Sequence, residues 1–308
     1  MIKKITRKEF LKRSSVGVVG ISLIGKTSNL LSKNNLTKKA PVPQTRILGR
    51  SGIRVTTVGF GASRTLEPSL LKNALDTGIN FIDTGRPYAN GQNEVMVGSV
   101  IKDMRKDLVI QSKLQVRLKE KGEELKASKV LNKIKNIMSA SLNASLEALQ
   151  TDYIDIMLIH GADSIDVINN VAVMEFFANA KKDGKILACG FSSHENQLEL
   201  LKASNENYFY DVIMVPYNYK GSYIHSNSGH SSEWDQKGVE MELEKAANNN
   251  IGIIAMKTCS AGPYSADKNK NPTYKEGLEW ILNHKFIHST AVAMANTQEI
   301  QENIQIMF

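Results

Sequence analysis

Pro68-Ser69-Leu70-Leu71-Lys72-Asn73-Ala74-Leu75-Asp76-Thr77-Gly78-Ile79-Asn80-Phe81-Ile82-Asp83-Thr84 reads as one complete helix–turn–strand unit, and the repetition of such units decides the fold. Pro68 suits a helix start, where its fixed φ is pre-set and its missing N–H has no partner to lose. Gly78 suits the position just past a helix end, where the chain often turns left-handed. The spacing predicts a helix over 68–77 and a strand over 80–83, with Asp83 and Thr84 at the strand's carboxyl end.

The same alternation continues on both sides. A strand is expected over 57–60, and further strands over 108–112, 154–159, 186–191, 212–215, 251–256 and 289–293. Between them lie helical periods over 94–102, 130–149, 169–183, 195–203, 239–249 and 273–283, and a last one over 297–306 closes the series. In 130–149 the apolar residues Val130, Leu131, Ile134, Ile137, Met138, Leu142, Leu146 and Leu149 fall mostly on one face, as an amphipathic helix requires. The strands are instead short, nearly continuous apolar runs, which fits parallel strands covered on both faces. Eight strand–helix units in about 250 residues point to an α/β fold of the closed (β/α)₈ type. The alternative is an open, doubly wound sheet. It would place a three-glycine phosphate loop after the first strand, and Gly59-Phe60-Gly61-Ala62-Ser63 lacks the third glycine.

Charge separates the folded part from what precedes it. The chain of 308 residues carries a formal +8, but ten Lys or Arg and one acid, Glu9, lie in the first 45 residues. The remainder is therefore close to neutral, and nucleic acid, which needs clustered positive charge on the folded body, is not an expected partner. The opening segment 1–25 has a basic stretch followed by a weakly apolar run, Val16 to Ile24, too short to span a bilayer. Its Thr6-Arg7-Lys8-Glu9-Phe10-Leu11 resembles a twin-arginine export signal, with Lys8 in place of the second arginine. Residues 26–45 read as a Ser-, Asn- and Lys-rich linker, and 46–308 as the barrel. These features predict an exported, periplasmic protein handled by twin-arginine machinery, with no stable membrane span, and a cytoplasmic one if the leader does not function. Cys189 and Cys259 stand far apart in sequence and outside any His/Cys cluster, so small apolar packing roles are expected and no metal site.

If the strands form a barrel, their carboxyl ends share one rim. Asp83 arrives there from the second strand with Tyr88 just beyond it, Lys113 from the third, and His160 from the fourth. Taken singly, an Asp–Lys pair could be a structural salt bridge and a histidine a satisfied core residue. Their joint arrival is what favours a site. A phenol beside an ammonium is a usable acid, because the cation favours the phenolate, while a carboxylate holds the lysine in place. An imidazole can hydrogen-bond a substrate carbonyl and polarise it. Such a set can protonate a carbonyl oxygen, or run the reverse step on an alcohol.

The whole stretch from about Arg46 to Asn303 resembles the aldo/keto reductase family. The likeness rests on Leu48-Gly49-Arg50-Ser51-Gly52-Ile53-Arg54-Val55, Val58-Gly59-Phe60-Gly61, Gly78 to Thr84, Tyr88, Gly91-Gln92-Asn93-Glu94, Gly98, Thr151 to Asp155, His160 and Gly190-Phe191-Ser192-Ser193-His194. The resemblance, closest in character to exported bacterial members, implies that Tyr88 is the general acid/base, assisted by Lys113, Asp83 and His160. It implies NADP or NAD as cofactor, and a small aldehyde, ketone or sugar as substrate. It places Ser192, Ser193 and Asn218 near the nicotinamide, Tyr217 as either a flat surface for its ring or an ordinary barrel aromatic, Lys257 at the diphosphate with Ala261 and Gly262 allowing close approach, and Asn303 at the adenine.

Three departures bear on that assignment. Met214 stands where many members carry a glutamine, and Ala293-Met294-Ala295-Asn296 replaces a stretch that often holds glycine and a base for a 2′-phosphate. Glu299 would favour ribose hydroxyls if it faced the pocket, so preference between NAD and NADP stays open. No long segment follows the last helix, so the pocket is either left open or closed by residues 114–129 and 221–237; the latter, with His225, His230 and Trp234, reads as a lid, with a plain surface loop as the alternative. The competing function is a catalytically weak nucleotide- or sugar-binding regulatory barrel. Substrate, reaction direction and oligomeric state are not encoded in any motif.

Overall fold

A computed structural model describes residues 42–117, 119, 120, 122–224, 229, 231–259 and 273–308. The leader 1–25, most of the linker, His225, His230, Ala261 and Gly262 lie outside the described residues.

Eight parallel strands close into a barrel. In chain order they are β3 (Val58–Gly61), β4 (Phe81–Asp83), β5 (Val109–Leu114), β6 (Ile154–Ile159), β7 (Ile186–Ser192), β8 (Val212–Pro216), β11 (Gly252–Met256) and β12 (Ser289–Ala293), and β12 returns to pair with β3. All eight expected strands are present within two residues at either end. Helices Pro68–Asp76, Gln92–Ile101, Ser128–Leu149, Val171–Lys182, Gln197–Asn207, Gln236–Asn248, Tyr274–Asn283 and Thr297–Ile304 alternate with them. The helix expected over 169–183 is Val171–Lys182, and a short helical turn, Ile165–Ile168, precedes it; each is started by a side chain, Asn170 or Ser164, that accepts a backbone N–H.

Strand alternation sorts side chains into two layers. Phe81, Val109, Ile156, Leu158, Ala188, Val212, Met214, Ile254 and Met256 form the barrel interior. Their chain neighbours Ile82, Ile110, Met157, Ile159, Cys189, Ile213, Val215, Ile253 and Ala255 belong to the layer between strands and helices. Gly59 makes room inside, because a Cβ there would come within 2.2 Å of the Phe81 ring. No disulfide forms between Cys189, which is buried, and Cys259.

The amino-terminal mouth is sealed by a hairpin that the strand pattern did not predict: β1 (Thr45–Ile47) pairs antiparallel with β2 (Arg54–Thr56). Leu48 and Val55 from it enter the interior cluster. The turn between them explains Leu48-Gly49-Arg50-Ser51-Gly52. Gly49 (φ 47°) lies so close to the chain that a Cβ would be 2.2 Å from the Asn250 carbonyl oxygen. Arg50 crosses to Asp211 at 3.2 Å and donates to the Tyr208 and Tyr210 carbonyls, tying the plug to the start of β8.

At the other mouth, β9 (Ser222–Ile224) and β10 (Ser231–Glu233) form a second antiparallel hairpin within the segment read as a lid. Trp234 N–H donates to the Gly221 carbonyl at 3.0 Å and closes its base. No helix among the described residues is long and apolar enough to cross a membrane.

Candidate active site

Asp83 ends β4 and points inward, two residues after Phe81 on the same face. Lys113 points inward from β5 by the same alternation, two residues after Gln111 and four after Val109. Both are almost fully buried, Asp83 at 4% and Lys113 at 1% exposure. The Lys113 ammonium donates to Asp83 Oδ1, and also to the Thr84 carbonyl oxygen at 2.8 Å. Beyond β4 the chain stays attached to β5: Thr84 N–H donates to the Gln111 carbonyl and Arg86 N–H to the Lys113 carbonyl, at 2.9 and 3.0 Å. That pairing carries Tyr88 to Lys113, whose Nζ lies 4.9 Å from its ring centroid. His160 follows β6, its N–H on the Leu114 carbonyl at 2.7 Å, with its ring edge-on to Tyr88 at 5.6 Å between centroids. All four expected catalytic side chains therefore meet at the carboxyl ends of neighbouring strands.

The turn that delivers Tyr88 is held against resistance. Ala89 (φ 47°) and Asn90 (φ 52°) both adopt left-handed backbone, which costs a residue with a Cβ about 1–2 kcal/mol each. A buried polar frame beneath maintains it. Glu94 is fully buried, paired with Arg86 at 3.0 Å, and accepts from the Ser112 hydroxyl at 2.5 Å. Asn93 accepts from Thr84 Oγ1 at 2.6 Å and donates to the Ala62 and Thr65 carbonyls, both at 2.8 Å. Gly91 lies under the Arg86 guanidinium, where a Cβ would overlap it at 1.2 Å. The Gly91-Gln92-Asn93-Glu94 segment thus has a structural task that its sequence did not reveal.

Burial sets the protonation states. It pushes the Tyr88 phenol up, and although Lys113 pulls the other way, the net direction is upward. The ammonium favours the phenolate, as expected, but loss of water around the ring outweighs it. Burial alone would lower the Lys113 amine, but Asp83 and Tyr88 reverse that and hold it charged. His160 is pushed down to about 3 by burial and then by the positive charges of Lys113, His194, Arg117 and Lys257. It is a neutral imidazole at ordinary pH, and its Nδ1 has no hydrogen-bond partner among the described residues.

The expected cofactor residues fare unequally. Ser192 and Ser193 are buried at the end of β7. Ser192 Oγ donates to the Ile159 carbonyl and accepts from Gly161 N–H, each at 3.2 Å, and Ser193 Oγ donates to the Glu195 carbonyl. Asn218 ties Ser222 and Lys257 together, donating to both carbonyls at 2.9 Å and accepting from Lys220 N–H, so its amide is a brace for the rim. Tyr217 does not face the rim. It continues the outward alternation of Ile213 and Val215, stacks on Trp280 at 5.3 Å, touches His284 and Phe286, and donates to Glu240 at 2.9 Å. The assignment of its ring to a nicotinamide is overturned by strand parity, a signal already present in Val212 to Tyr217. Glu299 is likewise engaged. It caps its own helix, accepting from Ala295 N–H at 2.7 Å and Asn296 Nδ2 at 3.0 Å.

Lys257 turns to the rim through a left-handed backbone (φ 54°), and its amine lies 5.3 Å from the Tyr223 ring. Burial and then the charge of Arg64 push that amine down. Asn303 is buried on the last helix beside Ile300 and Ile304. Tyr223, brought in by β9, was not anticipated: it is 2% exposed and its ring lies 6.2 Å from that of His194.

A family model for the aldo/keto reductase family matches residues 61–279, more than two thirds of the chain. The chain belongs to the aldo/keto reductase family. Among curated relatives it is 31% identical over 167 residues to "Uncharacterized oxidoreductase YqkF" of Bacillus subtilis, covering 52% of this chain and 53% of that protein. It is 33% identical over 132 residues to "Probable voltage-gated potassium channel subunit beta" of Oryza sativa, covering 39% and 38%. The chain thus matches about half or less of each of these relatives' lengths. Among solved structures, an aldo-keto reductase AKR11C1 from Bacillus halodurans in its holo form superposes with a TM-score of 0.67 at 21% identity, over 86% of this chain and 90% of that one. An aldo/keto reductase from Klebsiella pneumoniae, in complex with NADP and acetate, superposes with a TM-score of 0.61 at 21% identity, over 86% and 90%.

Against that family frame, Gln111 is the inward-facing residue the sequence reading passed over. It is fully buried, and its Nε2 donates to Asp83 Oδ1 at 2.7 Å and meets Met214 Sδ at 3.3 Å. The signal was a polar residue between Val109 and Lys113 on an interior face that is otherwise apolar. Among the described residues no group of three His, Cys, Asp or Glu is placed to hold a metal ion.

Proposed function

We propose that this aldo/keto reductase interconverts a small aldehyde or ketone, a sugar among them, and its alcohol, using NADP or NAD. The observation that carries the reading is the buried meeting of Tyr88, Lys113, Asp83 and His160, with a protonated phenol and a neutral imidazole at its open side.

The rim fits a dinucleotide. Burial and then the charge of Arg64 depress the Lys257 amine, a bound diphosphate would offset that repulsion, and Arg117 adds charge near His160. Ser192 and Ser193 lie buried at the end of β7, and Asn303 stands on the last helix. The Klebsiella pneumoniae relative bound to NADP supports the same class of cofactor. When bound, a reduced nicotinamide supplies hydride to the carbonyl carbon. Tyr88 donates its proton to the carbonyl oxygen, its O–H bond breaking as the alcohol O–H forms. The phenolate left behind is stabilised by the Lys113 ammonium, which Asp83 and the Thr84 carbonyl hold in place. His160 donates a ring N–H to the carbonyl oxygen and orients it. As a neutral donor it adds direction without a second positive charge.

The test is fluorescence quenching by titrated NADH and NADPH, followed by a carbonyl panel with the wild type and Tyr88→Phe. Failure of both nucleotides to bind would sink the reading. Equal turnover by Tyr88→Phe would remove the tyrosine's role.

We also propose that residues 1–25 act as an export leader of twin-arginine type and 26–45 as its linker, which the concentration of basic charge in this stretch supports. Fractionation of cells expressing the full chain and an Arg7→Gln variant tests it. Wild-type protein confined to the cytoplasm counts against export, and equal periplasmic amounts of both count against the Arg7-Lys8 signal.

A further inference from the structure

We infer that Gln111 is a positioning residue for the acid: it clamps the Asp83 carboxylate from inside the barrel so that Asp83, Lys113 and Tyr88 act as one unit. The inference rests on the proposed carbonyl chemistry only for its kinetic arm.

The geometry leaves the amide little choice. Asp83 and Gln111 are register partners on adjacent strands, and Lys113 lies two residues further along the same inward face. Asp83 Oδ1 receives two donors, Gln111 Nε2 at 2.7 Å and the Lys113 ammonium. A carboxylate can only accept, so Gln111 must turn its NH₂ towards it, and this leaves Gln111 Oε1 buried without a partner among the described residues. An orphaned buried carbonyl is unfavourable, and the neighbouring surface is apolar: Met214 Sδ is the other group that Nε2 meets. A residue chosen for packing alone would be Leu or Met here, as on the rest of that face. The chain instead keeps an amide whose one good hydrogen bond goes to Asp83.

The consequence reaches Tyr88. Asp83 opposes ionisation of the phenol while Lys113 favours it. Gln111 shares the carboxylate's negative charge and fixes its direction. Without the amide donor, that charge acts more fully on Lys113 and Tyr88, and the phenol holds its proton to higher pH. The carboxylate is also freer to turn away from the lysine.

Gln111→Met, which conserves length and apolar fit beside Met214, is the decisive variant; Gln111→Leu is the second should the first not fold. Expected for either is NADPH binding within about twofold of wild type, an unchanged or raised Tm, and turnover lowered about tenfold, a fraction of what a general acid supplies. The alkaline limb of the kcat profile should move up by about half a pH unit. Unchanged turnover and profile would overturn the inference. So would a lowered Tm with slower turnover and an unmoved pH profile, because that is the pattern of a packing role. A second readout needs no turnover: tyrosinate absorbance titrated as the difference between wild type and Tyr88→Phe, repeated in the Gln111→Met background. If the wild type reduces no carbonyl, the functional reading fails, and this titration still decides the inference. Movement of the Tyr88 step to higher pH upholds it, and no movement ends it.

Discussion

Tyr88 is an acid whose surroundings resist its ionisation, and that sets how the site should respond to pH. Its phenol is raised by burial despite the nearby Lys113, so it stays protonated throughout the neutral range. His160, held near 3, does not change charge there either. Carbonyl reduction is therefore expected to be flat in kcat from about pH 6 to 9 and to fall only as the phenol ionises, above the ordinary tyrosine value of about 10. A steady-state profile with saturating nucleotide checks this, and an inflection near 6.5 that disappears in His160→Gln would contradict the neutral imidazole. Tyr88→Phe removes the proton donor while keeping the ring against His160. It should lower kcat by a factor on the order of 10² or more with little change in nucleotide affinity, measured by quenching. The identities of these residues were legible in the sequence, because a phenol, an amine, a carboxylate and an imidazole at strand ends have few other uses together. Their protonation states were not. Those depend on how much water the fold removes and on which charges it collects from distant strands.

Strands and their crossovers show a different balance. The eight barrel strands could be read because each is a local apolar run bounded by turn residues, and a run keeps its character wherever the strand is placed. The β1–β2 hairpin escaped because its strands are only three residues long and their stability comes from Leu48 and Val55 entering the barrel, a non-local gain. Close packing between strands makes some glycines indispensable. At Gly190 a Cβ would lie 1.8 Å from the Val212 carbonyl oxygen, which is backbone and cannot swing aside. Gly190→Ala must therefore part β7 from β8, and a loss of about 3 kcal/mol is expected from the denaturant midpoint. A change below about 0.5 kcal/mol would mean that the two strands are less rigidly apposed than their register implies. Tyr217 belongs to this scale too. Period-two alternation carries Ile213, Val215 and Tyr217 to one side and Val212 and Met214 to the other, so the element itself, followed two residues further, turns the tyrosine away from the rim.

At the scale of the whole molecule, two largely buried imidazoles couple stability to pH. His160 is pushed down from 6.5 to about 3, and burial and then Arg46 push His288 down as well. A group with a depressed folded value binds fewer protons in the native state than when unfolded. Its contribution is therefore complete above the unfolded value near 6.5 and is lost as pH falls towards the folded one. At pH 4 the His160 contribution amounts to a loss of roughly 3 kcal/mol. Urea unfolding between pH 7 and pH 4 should show the decline, and His160→Gln, which cannot take up the proton, should flatten it by about that amount. An equal decline in both proteins would place the acid sensitivity elsewhere, with His288 the next candidate.

What the sequence determined by itself was the order of strands and helices, the family, and the four side chains at the rim. These rest on local periodicity and on residue chemistry, neither of which needs a neighbour from another part of the chain. Only the tertiary structure decided that Asn218 braces the rim, that Glu299 caps its own helix, that Gln111 grips Asp83, and that His160 is neutral. Each of these is a relation between residues brought together by barrel closure, and burial and hydrogen-bond pairing exist only once that closure has removed the water.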